Sequence, residues 1–207
     1  MKVVIVDYQL SNIFSLVNAL NYLQIRNKVS SNKIDIKFAD ALILPGVGSF
    51  PEAMGQLESL DLIDALKNFI KSGKPFIGIC LGFQLLFSKS HEFKITKGLN
   101  IFDGEVKKFD EKNNKVPHIG WNNLELNNNL NKYQIMKKLN FENNYYFVHS
   151  YYVKPNDNKI ILTFTDYEKT KFCSSILKEN IFACQFHPEK SGLNGIKLIK
   201  NFLKYDK

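Results

Sequence analysis

No stretch of the 207-residue chain is apolar for anything near the length that crosses a bilayer. Nor does a charged and then apolar leader precede the strand-like KVVIVDY with which it opens. A cytoplasmic protein without membrane contact is therefore expected. The three cysteines, Cys80, Cys173 and Cys184, are odd in number, far apart and never spaced as CxxC. That spacing suggests neither a disulfide framework nor a zinc site, and it leaves each thiol free for chemistry. No metal or other cofactor is expected. A GxG at 46–48 invites a dinucleotide-binding reading, but Pro51 stands where the third glycine belongs. The net charge of +8 comes from scattered lysines and accompanies no nucleic-acid-binding motif, so nucleic acid is not an expected partner. Internal repeats and linkers are also missing, and residues 1–207 are read as one domain.

What is present alternates. Val3 to Val6, Ala41 to Leu44 and Pro75 to Ile79 are short continuous apolar runs, as strands buried on both faces require. Helical spacing separates them. Ser11 is the expected N-cap of a helix carrying Ile13, Leu16, Val17, Leu20 and Leu23, and a second helix through Leu62, Leu66 and Ile70 closes at Gly73. This order predicts an α/β fold: a central, mostly parallel mixed sheet with helices on both faces. Segments 101–109, 145–153, 160–166 and 173–186 read as further strands with some antiparallel pairing. The Asn-rich 127–144 reads as a surface excursion with a short helix around Ile135 to Leu139, and Ile196 to Leu203 as the last helix.

The sharpest local signal is Gly78-Ile79-Cys80-Leu81-Gly82, the G-x-nucleophile-x-G form of a strand-to-helix elbow. Such a turn holds its central residue in a strained conformation and needs small neighbours for close packing. A cysteine there sits at a helix N-terminus, where the dipole favours thiolate, and the amide of Leu81 points at the same spot. A buried structural cysteine at a strand end is the alternative. Gln84 weighs toward chemistry, since four residues on it puts a polar amide on the same face of an otherwise apolar helix. Downstream, the strand-like Ile181 to Phe186 delivers His187-Pro188-Glu189. Proline disfavours the helical region for the residue before it, so the tripeptide is expected to be extended, with the two polar side chains on one side. Glu189 can then orient the imidazole and stabilise its protonated form, the logic of a triad, although a lone histidine after a strand also has purely structural uses.

PGVGSF at 45–50, GICLGFQLL at 78–86, KVPHIGWN at 115–122, YFVHSY at 146–151 and QFHPEKSGLNGIKLIKNFL at 185–203 together cover almost the whole chain. In them the sequence resembles the class I (triad-type) glutamine amidotransferases, and within that family the glutaminase subunits of imidazole glycerol phosphate synthases. The resemblance implies a flavodoxin-like amidotransferase fold and a Cys80–His187–Glu189 triad that hydrolyses L-glutamine through a thioester. It implies an oxyanion hole from the amides of Leu81 and of Val47 or Gly48, the latter on a strand thought to reorient in relatives when the partner binds its ligand. Gln84 and the chain at His149, Ser150 and Tyr151 would hold the glutamine. Pro117, His118, Gly120, Trp121 and Asn122 match an interface loop, and Tyr146 and Lys190 the mouth of an ammonia passage. The partner would be a synthase or cyclase subunit, in a heterodimer that makes imidazole glycerol phosphate and AICAR in histidine biosynthesis. One departure stands out. Where the family has Asp-Tyr-Gly-x-Gly-Asn, this chain has Asp7-Tyr8-Gln9-Leu10-Ser11-Asn12, so a different local turn is expected. Because that loop faces the partner in relatives, a paralogous partner that amidinates a surface sugar is the second reading.

Overall fold

A computed structural model describes residues 1–127, 135, 139 and 143–204. In chain order the first half holds β1 (Lys2–Val6), α1 (Ile13–Tyr22), β2 (Arg26–Ser30), α2 (Lys33–Lys37) and β3 (Ala41–Leu44). It continues with α3 (Phe50–Ser59), α4 (Ile63–Lys71), β4 (Phe76–Ile79) and a four-residue α5 (Leu81–Gln84). Then follow β5 (Phe87–Ser90), β6 (Thr96–Lys97), β7 (Phe102–Lys108), β8 (His118–Asn122) and β9 (Glu125–Leu126). The chain ends with β10 (Tyr145–His149), β11 (Tyr151–Pro155), β12 (Ile161–Tyr167), β13 (Thr170–Lys178), β14 (Ile181–Cys184) and α6 (Gly192–Leu203).

The central sheet runs β2-β1-β3-β4-β14-β13-β12-β9. Its first five strands are parallel and its last three antiparallel. The alternation of buried side chains along β1 and β3 supplies two cores. Val4, Val6, Leu42 and Leu44 face Leu57, Leu66 and Phe69 of α3 and α4, whereas Val3, Ile5, Ala41 and Ile43 face Leu16, Leu20, Leu198 and Phe202 of α1 and α6. Each fully buried Leu, Ile or Phe contributes about 1.5–3 kcal/mol of transfer free energy, so the two layers dominate folding. The expected mixed sheet with helices on both faces is what forms. Among the described residues no helix is long and apolar enough to cross a membrane.

Local expectations fared unevenly. Gly73 does close α4, at φ +76 just beyond the cap, where glycine has no Cβ to clash. The cap of α1 is Asn12 rather than Ser11; its side chain makes no capping bond, and Ser11 Oγ is buried without a hydrogen-bond partner among the described residues. Segment 145–153 breaks at Ser150, sending β10 to pair with β8 and β11 with β7. Segment 173–186 folds back through Glu179, at φ +52, into the β13–β14 hairpin. The stretch expected to be an interface loop is strand β8. The helix expected around Ile135 to Leu139 lies largely outside the described residues.

Candidate active site

β4 and β14 run side by side and parallel, Cys184 opposite Ile79. That register brings the chain's two motifs to one end of the sheet, since Cys80 follows β4 and His187 follows β14. The N–H of Cys80 donates to Cys184 O at 2.8 Å, and the backbone then turns sharply, leaving Cys80 at φ +53, ψ −109. A cysteine in that conformation is strained by roughly 1–3 kcal/mol, and its neighbours explain how the strain is held. A Cβ on Gly82 would lie 1.9 Å from Leu44 O, and one on Gly78 would lie 3.2 Å from Ala183 Cβ. Gly82 leaves no room for a Cβ against β3, and the fit of Gly78 to β14 is tight. α5 is a single turn, so a helix dipole contributes little at the sulfur; the charge complement comes from histidine.

His187 Nδ1 and Glu189 Oε1 are 2.8 Å apart, with side chains only 3% and 4% exposed. The route differs from the extended tripeptide expected. His187 is extended at φ −98, ψ 93, but Pro188–Lys190 forms a 3-10 turn, and the carboxylate folds back from that turn onto the ring. The histidine backbone is pinned as well. Its N–H donates to Tyr146 O at 2.9 Å, and its carbonyl accepts from Ser191 Oγ at 2.6 Å. Among the described residues Nε2 has no hydrogen-bond partner, and the Cys80 sulfur near the ring favours its charged form. Burial works against a charged ring, but the negative charges of Cys80 and Glu189 outweigh it and hold His187 at about 10. The arrangement favours an imidazolium at His187.

These groups open on a cleft of about 480 Å³ lined by Val47, Gly48, Cys80, Leu81, Gln84, His149, Ser150, Tyr151 and His187, among others. All the expected nucleophile, oxyanion and substrate-holding residues are thus gathered in one place, with Glu189 behind His187. The Val47 N–H does not point to the sulfur, however; it donates to Leu10 O at 2.9 Å. Residues 45–48 follow β3 as a loop, not as the strand expected, and Tyr8, fully buried, donates its hydroxyl to Pro45 O at 2.8 Å and fixes the start of that loop. Gln9 answers the missing glycine directly. It sits at φ +69, the region glycine enters freely, with its N–H on Asp7 Oδ1 at 3.0 Å. The loop therefore keeps a glycine-like conformation under strain instead of adopting one natural to glutamine.

Of the five expected interface residues, Pro117 lines the cleft, whereas His118, Gly120, Trp121 and Asn122 lie off it. His118 is buried, its Nδ1 3.1 Å from His149 Nε2, within a cage of Phe109, Phe147, Tyr167 and Phe172. Because His149 Nδ1 faces the carbonyl of Tyr151 at 2.8 Å, it carries the proton and Nε2 accepts from His118. Burial lowers His118 to about 4, and burial with the neighbouring His118 lowers His149 to about 3, so both are neutral. Trp121 projects 58% exposed beside Ile119 at 60%, while Asn122 bonds Asp166 O. Lys190 Nζ lies 5.8 Å from the Tyr146 ring, which meets Trp121 edge-on and stands 6.3 Å from His187. Three polar residues went unsuspected. Glu92 lines the cleft, with Oε2 accepting from Phe50 N at 2.7 Å and its carboxyl raised by burial. Gln185 touches the sulfur from beneath, and Ser191 braces His187.

Residues 4–205 match the family model for glutamine amidotransferase class-I. The imidazole glycerol phosphate synthase subunit HisH of Caldanaerobacter subterraneus is 44% identical over 198 residues, covering 96% of this chain and 95% of that protein. The HisH subunit of Aquifex aeolicus is 45% identical, covering 98% and 96%. Among solved structures, PurLQS from Thermotoga maritima superposes with a TM-score of 0.75 at 19% identity, covering 100% of this chain and 99% of that one. A structure described as a glutamine amidotransferase gives 0.71 at 17%, covering 97% of each. At these identities the structural matches speak for the fold alone. The elbow cysteine, the buried histidine–carboxylate pair and the family match over 4–205 together place the chain in the class-I glutamine amidotransferase family.

Proposed function

We propose that the chain is the glutaminase subunit of an imidazole glycerol phosphate synthase and that Cys80, His187 and Glu189 are its catalytic triad. The observation that carries the assignment is the convergence of the buried His187–Glu189 pair and the strained Cys80 on one cleft. The sulfur attacks the side-chain amide carbon of glutamine. As the tetrahedral intermediate collapses, the C–N bond breaks, His187 Nε2 gives its proton to the departing nitrogen, and ammonia leaves behind a glutamyl thioester. His187 then takes a proton from water, whose oxygen attacks the thioester; glutamate leaves and the thiolate is restored. Glu189 keeps Nδ1 protonated and Nε2 aimed at the reacting atoms throughout.

The tetrahedral oxygen needs donors. Leu81 N–H, directly after the nucleophile, is one. Val47 N–H becomes the second once the Pro45–Gly48 segment turns away from Leu10, and docking of the synthase partner is what drives that turn. Gln84, Ser150 and Tyr151 hold the amino-acid end of the substrate. Glu92, with one oxygen on Phe50 N, offers the other to an ammonium group. Ile119 and Trp121 provide apolar surface for the partner, and ammonia passes by Tyr146 and Lys190.

The same chemistry could feed a sugar-amidinating partner, the reading prompted by Gln9 and Ser11. Gln9 at φ +69 holds a conformation open to glycine, which weakens that prompt, and the HisH relatives favour the histidine branch. Glutamate release from glutamine in the presence of the partner, and its loss in Cys80→Ala, tests the triad. Copurification of a cyclase, as against a sugar-modifying enzyme, tests the destination of the ammonia.

A further inference from the structure

Beneath the nucleophile lies a short run of side-chain amides whose polarity is fixed at one end. Gln84 Nε2 is 3.0 Å from the carbonyl oxygen of Tyr151, which can only accept, so the nitrogen of this amide must point there. The same nitrogen is 3.0 Å from Gln185 Oε1, which accepts its second proton. With Gln185 Oε1 so occupied, the remaining end of that amide is a donor, and Gln185 Nε2 lies 3.6 Å from Cys80 Sγ. A flipped Gln185 would set its nitrogen against Gln84 Nε2, donor against donor, so its orientation is settled. The side chain is 0% exposed, and the backbone N–H of Gln185 donates to Ser174 O at 2.9 Å. Leaving either end of a buried amide unpaired is costly, and here each end has a partner.

We infer that Gln185 is a positioning residue for glutamine hydrolysis: it donates a hydrogen bond to the Cys80 sulfur, and Gln84 sets the direction of that bond. Hydrogen bonds donated to an anion are about twice as strong as neutral ones, so the contact favours thiolate over thiol. It does so in the resting enzyme and again when the thioester breaks and the sulfur leaves as an anion. The relay also fixes Gln84 with its carbonyl oxygen as the group left for the cleft, linking the amide that meets substrate to the atom that attacks it. The inference rests on Cys80 being the nucleophile. The other titratable groups that feel Cys80 are His187, with Glu189 behind it, Tyr8 and Cys184, and all are unchanged in the variants below.

The test is the rate of iodoacetamide alkylation at Cys80 in the full chain, followed by mass spectrometry across pH, with and without glutamine. In the wild type, added glutamine should slow the labelling; a rate indifferent to glutamine would sink the nucleophile assignment itself. In Gln185→Met the midpoint of the alkylation profile should rise by about one pH unit, with rates about tenfold lower below it and converging with wild type well above it. Gln84→Met leaves Gln185 in place and never touches the sulfur, yet the relay requires its midpoint to rise too. It also provides the measurement if the substitution at buried position 185 does not fold. An unchanged midpoint in Gln84→Met overturns the relay. A rate lowered equally at every pH in Gln185→Met overturns the donor role, since loss of access acts that way and loss of a hydrogen bond to the thiolate does not.

Discussion

The Val47 N–H donates to Leu10 O at 2.9 Å, and so the Pro45–Gly48 segment is held by the loop that departs from the family pattern. On the proposed mechanism, one oxyanion donor of two is then out of position in the resting protein. Losing a single such donor costs roughly 10²–10³ in rate. The chain alone should therefore release glutamate at least about a hundredfold more slowly than the chain with its ligand-bound partner. A coupled glutamate assay with and without the partner checks this, and equal rates would show that Val47 is not the donor.

Gly82 has no room for a methyl group, because its Cβ would meet Leu44 O at 1.9 Å and Leu44 C at 2.8 Å. Both are backbone atoms of β3, a strand buried on both faces, and neither can move cheaply. Gly82→Ala should cost about 3 kcal/mol or more and shift the elbow. Urea denaturation measures the first effect and Cys80 alkylation the second. Wild-type values in both would mean the turn relaxes as no close-packed elbow should.

The buried pair His118–His149 is neutral, and its effect on stability has a definite sign. Both folded values, about 4 and about 3, lie below the usual 6.5, so the unfolded chain binds more protons once the pH drops under 6.5. The stability these rings contribute is present above pH 6.5 and is lost as pH falls toward 4 and then 3. Between pH 6.5 and 5 each should cost about 2 kcal/mol. Urea midpoints in that range should fall, and His149→Gln, which can still donate and accept, should flatten the decline. A wild-type profile level down to pH 5 would contradict the neutral pair.

Ile119 and Trp121 are exposed on β8 while their neighbour His118 is locked inside, so the strand presents an apolar face without contributing those two side chains to the core. Trp121→Ala should weaken partner binding at least about tenfold, as large interface aromatics do, and leave the melting temperature within a degree or two. Calorimetric titration with the partner decides it. Unchanged affinity would move the interface elsewhere.

Much of this was legible from residue order because burial on both faces writes itself as unbroken apolar runs: ALIL for β3 and FIGI for β4. The strand β2, RNKVS, is an edge strand with no fully buried residue, and nothing in its pattern separates it from a loop. Helix α3 hides behind Pro51, which is easily taken for a breaker although proline suits a first turn. The residues of the proposed triad stand out in the sequence because strained turns and proline-bounded histidines leave local marks. Glu92 and Gln185 were not, since each acquires its meaning from partners more than forty residues away. The signal for Gln185 was nonetheless present, as a polar side chain at the end of the fully apolar IFAC strand.

The central claim is that Cys80 generates the ammonia that the partner consumes. The direct measurement is synthesis of imidazole glycerol phosphate by the two-subunit complex, with glutamine or with ammonium salt as the nitrogen source, in wild type and in Cys80→Ala. Glutamine-dependent synthesis should vanish in the variant, while ammonium-supported synthesis should continue near the wild-type rate. Glutamine-dependent synthesis that survives without the Cys80 sulfur would contradict the account.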